Sequence, residues 1–183
     1  MNVLALCSGI GGLELGLAAA VPGSRVVCHV EREATAAAVL VARMADGSIP
    51  QAVIWDDIKS FDGRPWRGRV HIVSGGIPCQ PFSIAGKRRG EADDRNLWPD
   101  ALRIVGEIAP AWCFFENVPG MANRSVDWYY YRAVRPRLQA MGYRVTEGLF
   151  TAQEVGAPHR RERLFILAVS ERARWSASGE RRD

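Results

Sequence analysis

NVLALCSGIGGLELGLAAAV, residues 2 to 21, runs from a short apolar strand through a glycine turn into a helix. How that turn is read decides the fold. Glycines 9, 11 and 12 let backbone amides and a helix N-terminus approach a ligand closely, because glycine tolerates conformations and contacts that side chains forbid. The dinucleotide fingerprint needs a third glycine three residues after the second, and that position holds Glu14, so a hydride-transferring Rossmann enzyme is disfavoured.

Outward from this unit, β-rich runs alternate with helical patterns: RVVCHVE, EATAAAVLVARM, AVIW, VHIVSGG, NLWPDALRIVGEI, AWCFFENV, a helix within SVDWYYYRAVRPRLQAMG, then YRVTEGLF and RLFILAVS. Continuous apolar strands such as VHIVS and AWCFF fit a parallel sheet covered on both faces. The last two strands lack a crossover helix and are expected to pair as an antiparallel hairpin. The expectation is a doubly wound α/β domain over residues 1–170, mostly parallel and Rossmann-like, with a polar tail over 171–183. Ligands of such sheets bind at the carboxyl ends of the strands.

At 183 residues and 48% hydrophobic content, one sizeable core is affordable. Four widely spaced cysteines with no C-x-x-C pair argue against zinc and against a disulfide framework, so no metal is expected and a reducing cytoplasm fits. No signal peptide and no apolar run of about 20 residues is seen, so a membrane is not expected. The net charge is +4, and Lys59 and Lys87 are the only lysines. Arginine's planar fork suits phosphates and base edges, although a solvated arginine surface fits the charge equally well.

Candidate residues cluster at the expected strand ends. Glu31 ends the second strand, where it could accept ribose hydroxyls, and Asp57 follows the third, placed for an adenine amino group. A nucleoside without pyrophosphate suits this turn, and S-adenosylmethionine is such a cofactor; either carboxylate taken singly also reads as a solvated loop residue. In GGIPCQPFS, prolines restrain the chain on both sides of Cys79, which aims a thiol that structural burial would leave unbraced. Glu116 ends another parallel strand and should emerge at the same sheet edge. Arg161 and Arg163, two apart, would share a face of an extended segment and grip a base oxygen or phosphate, or simply charge an edge strand. His29 and His71 read as strand residues without catalytic meaning.

These stretches together resemble the catalytic domain of the cytosine-C5 DNA methyltransferases. LALCSGIGGLELG resembles that family's cofactor loop, WDDI its adenine contact, GGIPCQPFSIAGKRRG its nucleophile loop, NLWPDALRIVGEIAP its next helix, ENV its cytosine-binding segment and QEVGAPHRRERLFILA its arginine segment, in family order. The resemblance implies that Cys79, Glu116, Arg161 and Arg163 are catalytic. It implies an S-adenosylmethionine pocket of Ser8, Gly9, Ile10, Gly11, Gly12, Glu31, Asp57, Ile58, Pro78 and Leu97. Gln80, Ser83, Lys87, Arg88, Arg89, Asn117 and Val118 would meet the flipped cytosine and double-stranded DNA.

Three departures from the family pattern stand out. Cys7 replaces a frequent aromatic, and His159 replaces a usual Gln. The third is the expectation that the chain stops before a target-recognition domain and terminal segment, which a second chain would supply. Two functional readings stay open: the catalytic part of a DNA cytosine methyltransferase of the restriction-modification kind, or a non-catalytic remnant or regulatory subunit keeping the fold. An RNA methyltransferase of the same chemistry is a minor third.

Overall fold

Val3, Leu4, Ala5 and Leu6 are all buried, so strand β1 (Asn2–Leu6) is covered on both faces, as an interior strand of a parallel sheet must be. The computed structural model describes residues 1–78, 96–123 and 129–172. Within them follow α1 (Gly12–Ala20), β2 (Arg25–Val30), α2 (Ala34–Ala45), β3 (Val53–Trp55), β4 (Ile72–Gly76), α3 (Trp98–Ile108) and β5 (Trp112–Asn117). A π-helical turn (Tyr130–Val134) then runs into α4 (Arg135–Ala140), followed by β6 (Tyr143–Thr151) and β7 (Glu162–Ser170).

The sheet order is β3-β2-β1-β4-β5-β7-β6. Strands β1 to β5 pair in parallel, and β7 is antiparallel to both neighbours. The expected doubly wound architecture and terminal hairpin are therefore present. The hairpin enters by its second strand: β7 docks on β5, leaving β6 at the edge. Burial explains the choice, since Leu164, Ile166 and Ala168 of β7 are buried in alternation, whereas β6 exposes Arg144 and Thr146. The chain reverses its direction of travel across the sheet between β1 and β4, the switch point at which such folds bind ligands.

Two cores sandwich the sheet. On one face Leu4, Leu6, Val73, Cys113, Phe115 and Ile166 pack with Trp98, Leu102 and Val105 of α3 and Leu138 of α4. On the other, Val3, Ala5, Val26 and Ile72 lie under Leu17 of α1. That second cover is incomplete: beyond β4, Phe114, Phe165 and Leu167 stay only partly buried.

Candidate active site

Strand β1 leaves the sheet through Cys7, Gly9 and Gly11, all with positive φ (49°, 53° and 84°). Gly11 caps α1 with a left-handed backbone that favours glycine, and an added Cβ there would lie 3.3 Å from the Leu40 side chain of α2. Ser8 is buried and braces the turn: its Oγ donates to the Ala5 carbonyl at 3.1 Å and meets Nδ1 of His29 at 3.1 Å. The Glu31 carboxylate is clamped by backbone. Oε2 accepts the Gly9 N–H at 2.6 Å and Oε1 the Glu33 N–H at 2.7 Å. Each oxygen keeps a lone pair for a ligand hydroxyl.

Around this clamp lies a cavity of about 530 Å³ at the carboxyl ends of β1 to β4. Of the residues expected there, Gly9, Glu31, Asp57, Ile58, Pro78 and Leu97 line it. Four others do not: Ser8 is buried behind the turn, Ile10 is 64% exposed, Gly11 forms the cap, and Gly12 lines a separate groove. Sequence reasoning missed Val30, Arg32, Glu33, Asp56 and Gly76, whose one signal is that they flank the chosen residues. Cys7, noted only as a departure, also lines the wall; burial, then the Glu31 carboxylate, pushes its thiol up to about 12, so it stays neutral.

The donor set can be tested against S-adenosylmethionine. Four carboxylates (Glu31, Glu33, Asp56, Asp57) face one guanidinium, Arg32. That balance favours a cationic ligand carrying hydroxyls, as a sulfonium nucleoside is, and disfavours a pyrophosphate. The residues present fit that group.

A second cluster forms where β4 and β5 end. Register pairs Gly76 with Glu116, setting the carboxylate beside the strand that leads toward residue 79. An added Cβ on Gly75 would sit 2.7 Å from the Leu6 carbonyl, so this strand end must also be glycine. Glu116 Oε1 pairs with Arg163 Nε at 2.8 Å, with side chains 22% and 25% exposed. Arg163 also donates to the Glu162 carbonyl at 2.8 Å.

Arg161 corrects one expectation. It precedes β7 with φ 32°, not an extended value, so the two arginines do not share a face through strand spacing. Arg161 instead stands just before the strand with a left-handed backbone and lines a groove with Glu116. Asn117, expected to meet DNA, is 3% exposed. Its Nδ2–H donates to the Ile77 carbonyl at 2.8 Å and its Oδ1 accepts the Val118 N–H at 2.8 Å, which ties the two loops together. Val118 is partly buried at the start of the next turn. Cys79, Gln80, Ser83, Lys87, Arg88 and Arg89 lie outside the described residues, as does the tail from residue 173. Among the described residues no group of His, Cys, Asp or Glu is arranged to hold a metal, and no helix is long and apolar enough to cross a membrane.

The groove that Arg161 and Glu116 share is large, about 930 Å³, and mostly apolar. Leu13 and Leu17 of α1 form one wall; Phe114 of β5 with Phe165 and Leu167 of β7 form the other.

The family model for C-5 cytosine-specific DNA methylase matches residues 1–182. The Type II methyltransferase M.NgoMIV of Neisseria gonorrhoeae is 32% identical over 166 residues, covering 91% of this chain and 51% of the relative. M.AquIA of Picosynechococcus is 32% identical over 179 residues, covering 91% of this chain and 71% of the relative. Among solved structures, a protein encoded within an E. coli prophage superposes with TM-score 0.73 at 27% identity, covering 93% of this chain and 47% of its own. S. pombe Dnmt2, at TM-score 0.73 and 23% identity over 96% of this chain and 53% of its own, shares the fold. The chain spans 51%, 39% and 47% of the length of the first three curated relatives it matches.

Proposed function

The chain belongs to the C-5 cytosine-specific DNA methylase family, and on that premise we propose that residues 1–170 are the catalytic domain of a DNA (cytosine-5)-methyltransferase using S-adenosylmethionine. The observation that carries this reading is the Glu116–Arg163 pair, set by strand register next to the chain leading into Cys79 and beside the acidic cavity.

The mechanism follows from what each residue offers. Cytosine C5 is electron-poor until a nucleophile adds at C6. The described thiols do not serve: burial pushes Cys28 up to about 12 and Cys113 higher still, and Cys7 is likewise held neutral. Cys79, its thiol proton given up to solvent, adds as a thiolate to form the S–C6 bond while Glu116, entering the step protonated, gives its proton to N3, and the C5–C6 electron pair shifts to make C5 an enamine carbon. Arg163 and Arg161 hold the base O2. Glu31 would hold the cofactor's ribose hydroxyls and Asp57 its adenine amino group, with the Gly9 turn forming part of the pocket wall. When bound, S-adenosylmethionine supplies an electrophilic methyl group. Once C5 carries the methyl group, loss of the C5 proton to solvent base, expulsion of Cys79 as the thiolate and return of the N3 proton to Glu116 restore the neutral aromatic ring. The target base must leave the duplex stack for this attack, and Gln80, Ser83 and Lys87 to Arg89 are the residues proposed to meet it.

We infer further that the apolar groove is covered by a segment travelling with a target-recognition lobe on a second chain. Its support is a large apolar surface that runs up to the catalytic pair. The assembly acts on double-stranded DNA, in the cytoplasm. The test is covalent trapping: in an assembly that methylates DNA, 5-fluorocytosine placed at the target should leave a stable adduct on the peptide holding Cys79, because fluorine cannot depart as a proton does. An adduct still formed by Cys79→Ser would assign the nucleophile elsewhere.

A further inference from the structure

The loop from Asp56 to Phe61 carries Asp57 and Ile58 to the acidic cavity, and one side chain of α3 fastens it from behind. Arg103 Nη2 donates to the Ile58 carbonyl at 2.9 Å and reaches the Lys59 carbonyl at 3.4 Å, while Nη1 donates to the Phe61 carbonyl at 2.8 Å. The fork is itself held in place. Glu107, one turn on, accepts Nη1 at 3.1 Å, and Asp100, one turn before, lies 3.4 Å from Nη2. Glu107 reaches past the arginine to the next part of the chain, accepting the Gly63 N–H at 2.8 Å.

The loop ahead of this anchor has little freedom. Asp57 Oδ1 accepts the Lys59 N–H at 2.9 Å, and the Asp57 carbonyl accepts the Ser60 N–H at 3.1 Å. Rotation of the Ile58 peptide would therefore carry Asp57 with it. A lysine could not reproduce the arrangement, since its donors radiate from one atom, whereas the guanidinium presents a planar fork that spans separated carbonyls. Helix α3 also starts one residue after Leu97, which lines the same cavity. The helix thus meets the cavity twice, directly at its start and through Arg103 in its second turn.

We propose that Arg103 is the positioning residue of the cofactor's base-reading loop, setting Asp57 and Ile58 so that adenine is selected over other purines. The proposal rests on the reading of Asp57 as the contact to the adenine amino group. A helix-to-loop staple that merely stabilised the fold would weaken all ligands alike. A positioning residue changes the ratio between ligands that differ at the amino group.

The experiment is calorimetry of the chain with S-adenosylhomocysteine and S-inosylhomocysteine, in which an oxo group replaces the amino group. Wild type should prefer the adenosyl compound by about tenfold, the worth of one good hydrogen bond. Arg103→Ala should bring the two affinities toward parity, and Arg103→Lys, which keeps charge without the fork, should lose most of the preference; the lysine variant decides if the alanine variant does not fold. Asp57→Ala separates the two ideas. If it abolishes the preference while folded Arg103 variants keep it, the positioning role is overturned and the Asp57 reading stands. If the Arg103 variants lose the preference and Asp57→Ala keeps it, the loop is positioned as proposed but another group reads the base. A wild type without preference overturns both.

Discussion

Glu14, on the inner face of α1, is 6% exposed; its Oε1 accepts the Ser74 hydroxyl at 2.8 Å, and its Oε2 has no partner among the described residues. Burial raises its pKa, outweighing the hydrogen bonds from Ser74 and backbone that lower it. The folded state therefore binds this proton more tightly than the unfolded chain does. Its stabilising contribution is present at pH values below the ordinary glutamate range and is lost as pH rises through the raised folded value. Glu14→Gln should remove that loss and raise stability at neutral pH relative to wild type. Urea unfolding across pH checks it, and a Gln variant with the wild-type pH profile would contradict the assignment. Glu31 makes a second prediction at this scale. With both oxygens already clamped, Glu31→Ala should weaken S-adenosylhomocysteine by about tenfold or more in calorimetry. Residues such as Gly9, Glu31 and Asp57 were legible because glycine and acids at strand ends carry local signals. Asn117 and Arg103 were not, since their roles depend on contacts 40 or more residues away along the chain.

Strand β7 shows how neighbouring residues diverge once an element is docked. Ile166 faces the α3 core and is fully buried, while Leu167 faces the open groove. Ile166→Ala should cost about 2–5 kcal/mol, as large-to-small changes in closed cores do. Leu167→Ala should cost about 1 kcal/mol or less, because a groove side chain is already partly hydrated. Equal losses in urea unfolding would mean that the groove face is closed in solution. The β-rich runs YRVTEGLF and RLFILAVS disclosed both strands, and the lack of a crossover helix between them their antiparallel pairing. Which of them would dock on β5 was not disclosed, because only the buried Leu164, Ile166 and Ala168 meeting Phe115 and Cys113 decide it. The π-helical turn over Tyr130–Val134 was equally hidden. It is bound up with tertiary contacts, the Tyr130 hydroxyl donating to Glu147 at 2.8 Å and Arg135 pairing with the same carboxylate at 2.7 Å.

Across the whole molecule, an acidic cavity and a carboxylate–guanidinium pair lie at the carboxyl ends of the parallel strands, and an uncovered apolar groove crosses one face of the sheet up to that pair. The doubly wound order could be read from the alternation of strands and helices, because right-handed crossovers leave few alternatives. The groove's shape could not be read, since it arises from the distance between α1 and β7. Specific DNA interfaces bury about 1,000–2,500 Å² of protein, and on the proposed reading a recognition lobe supplies part of that area. DNA binding by this chain alone should accordingly be weak and should fall steeply with salt, as phosphate contacts do. The measurement that bears most directly on the account is methyl transfer from tritiated S-adenosylmethionine to duplex DNA, by the chain alone and with a co-expressed recognition lobe. The account predicts no site-specific transfer by these residues alone, transfer when the lobe is present, and its loss in Cys79→Ser. Robust, site-specific transfer by the 183 residues alone, or by an assembly carrying Cys79→Ser, would contradict it.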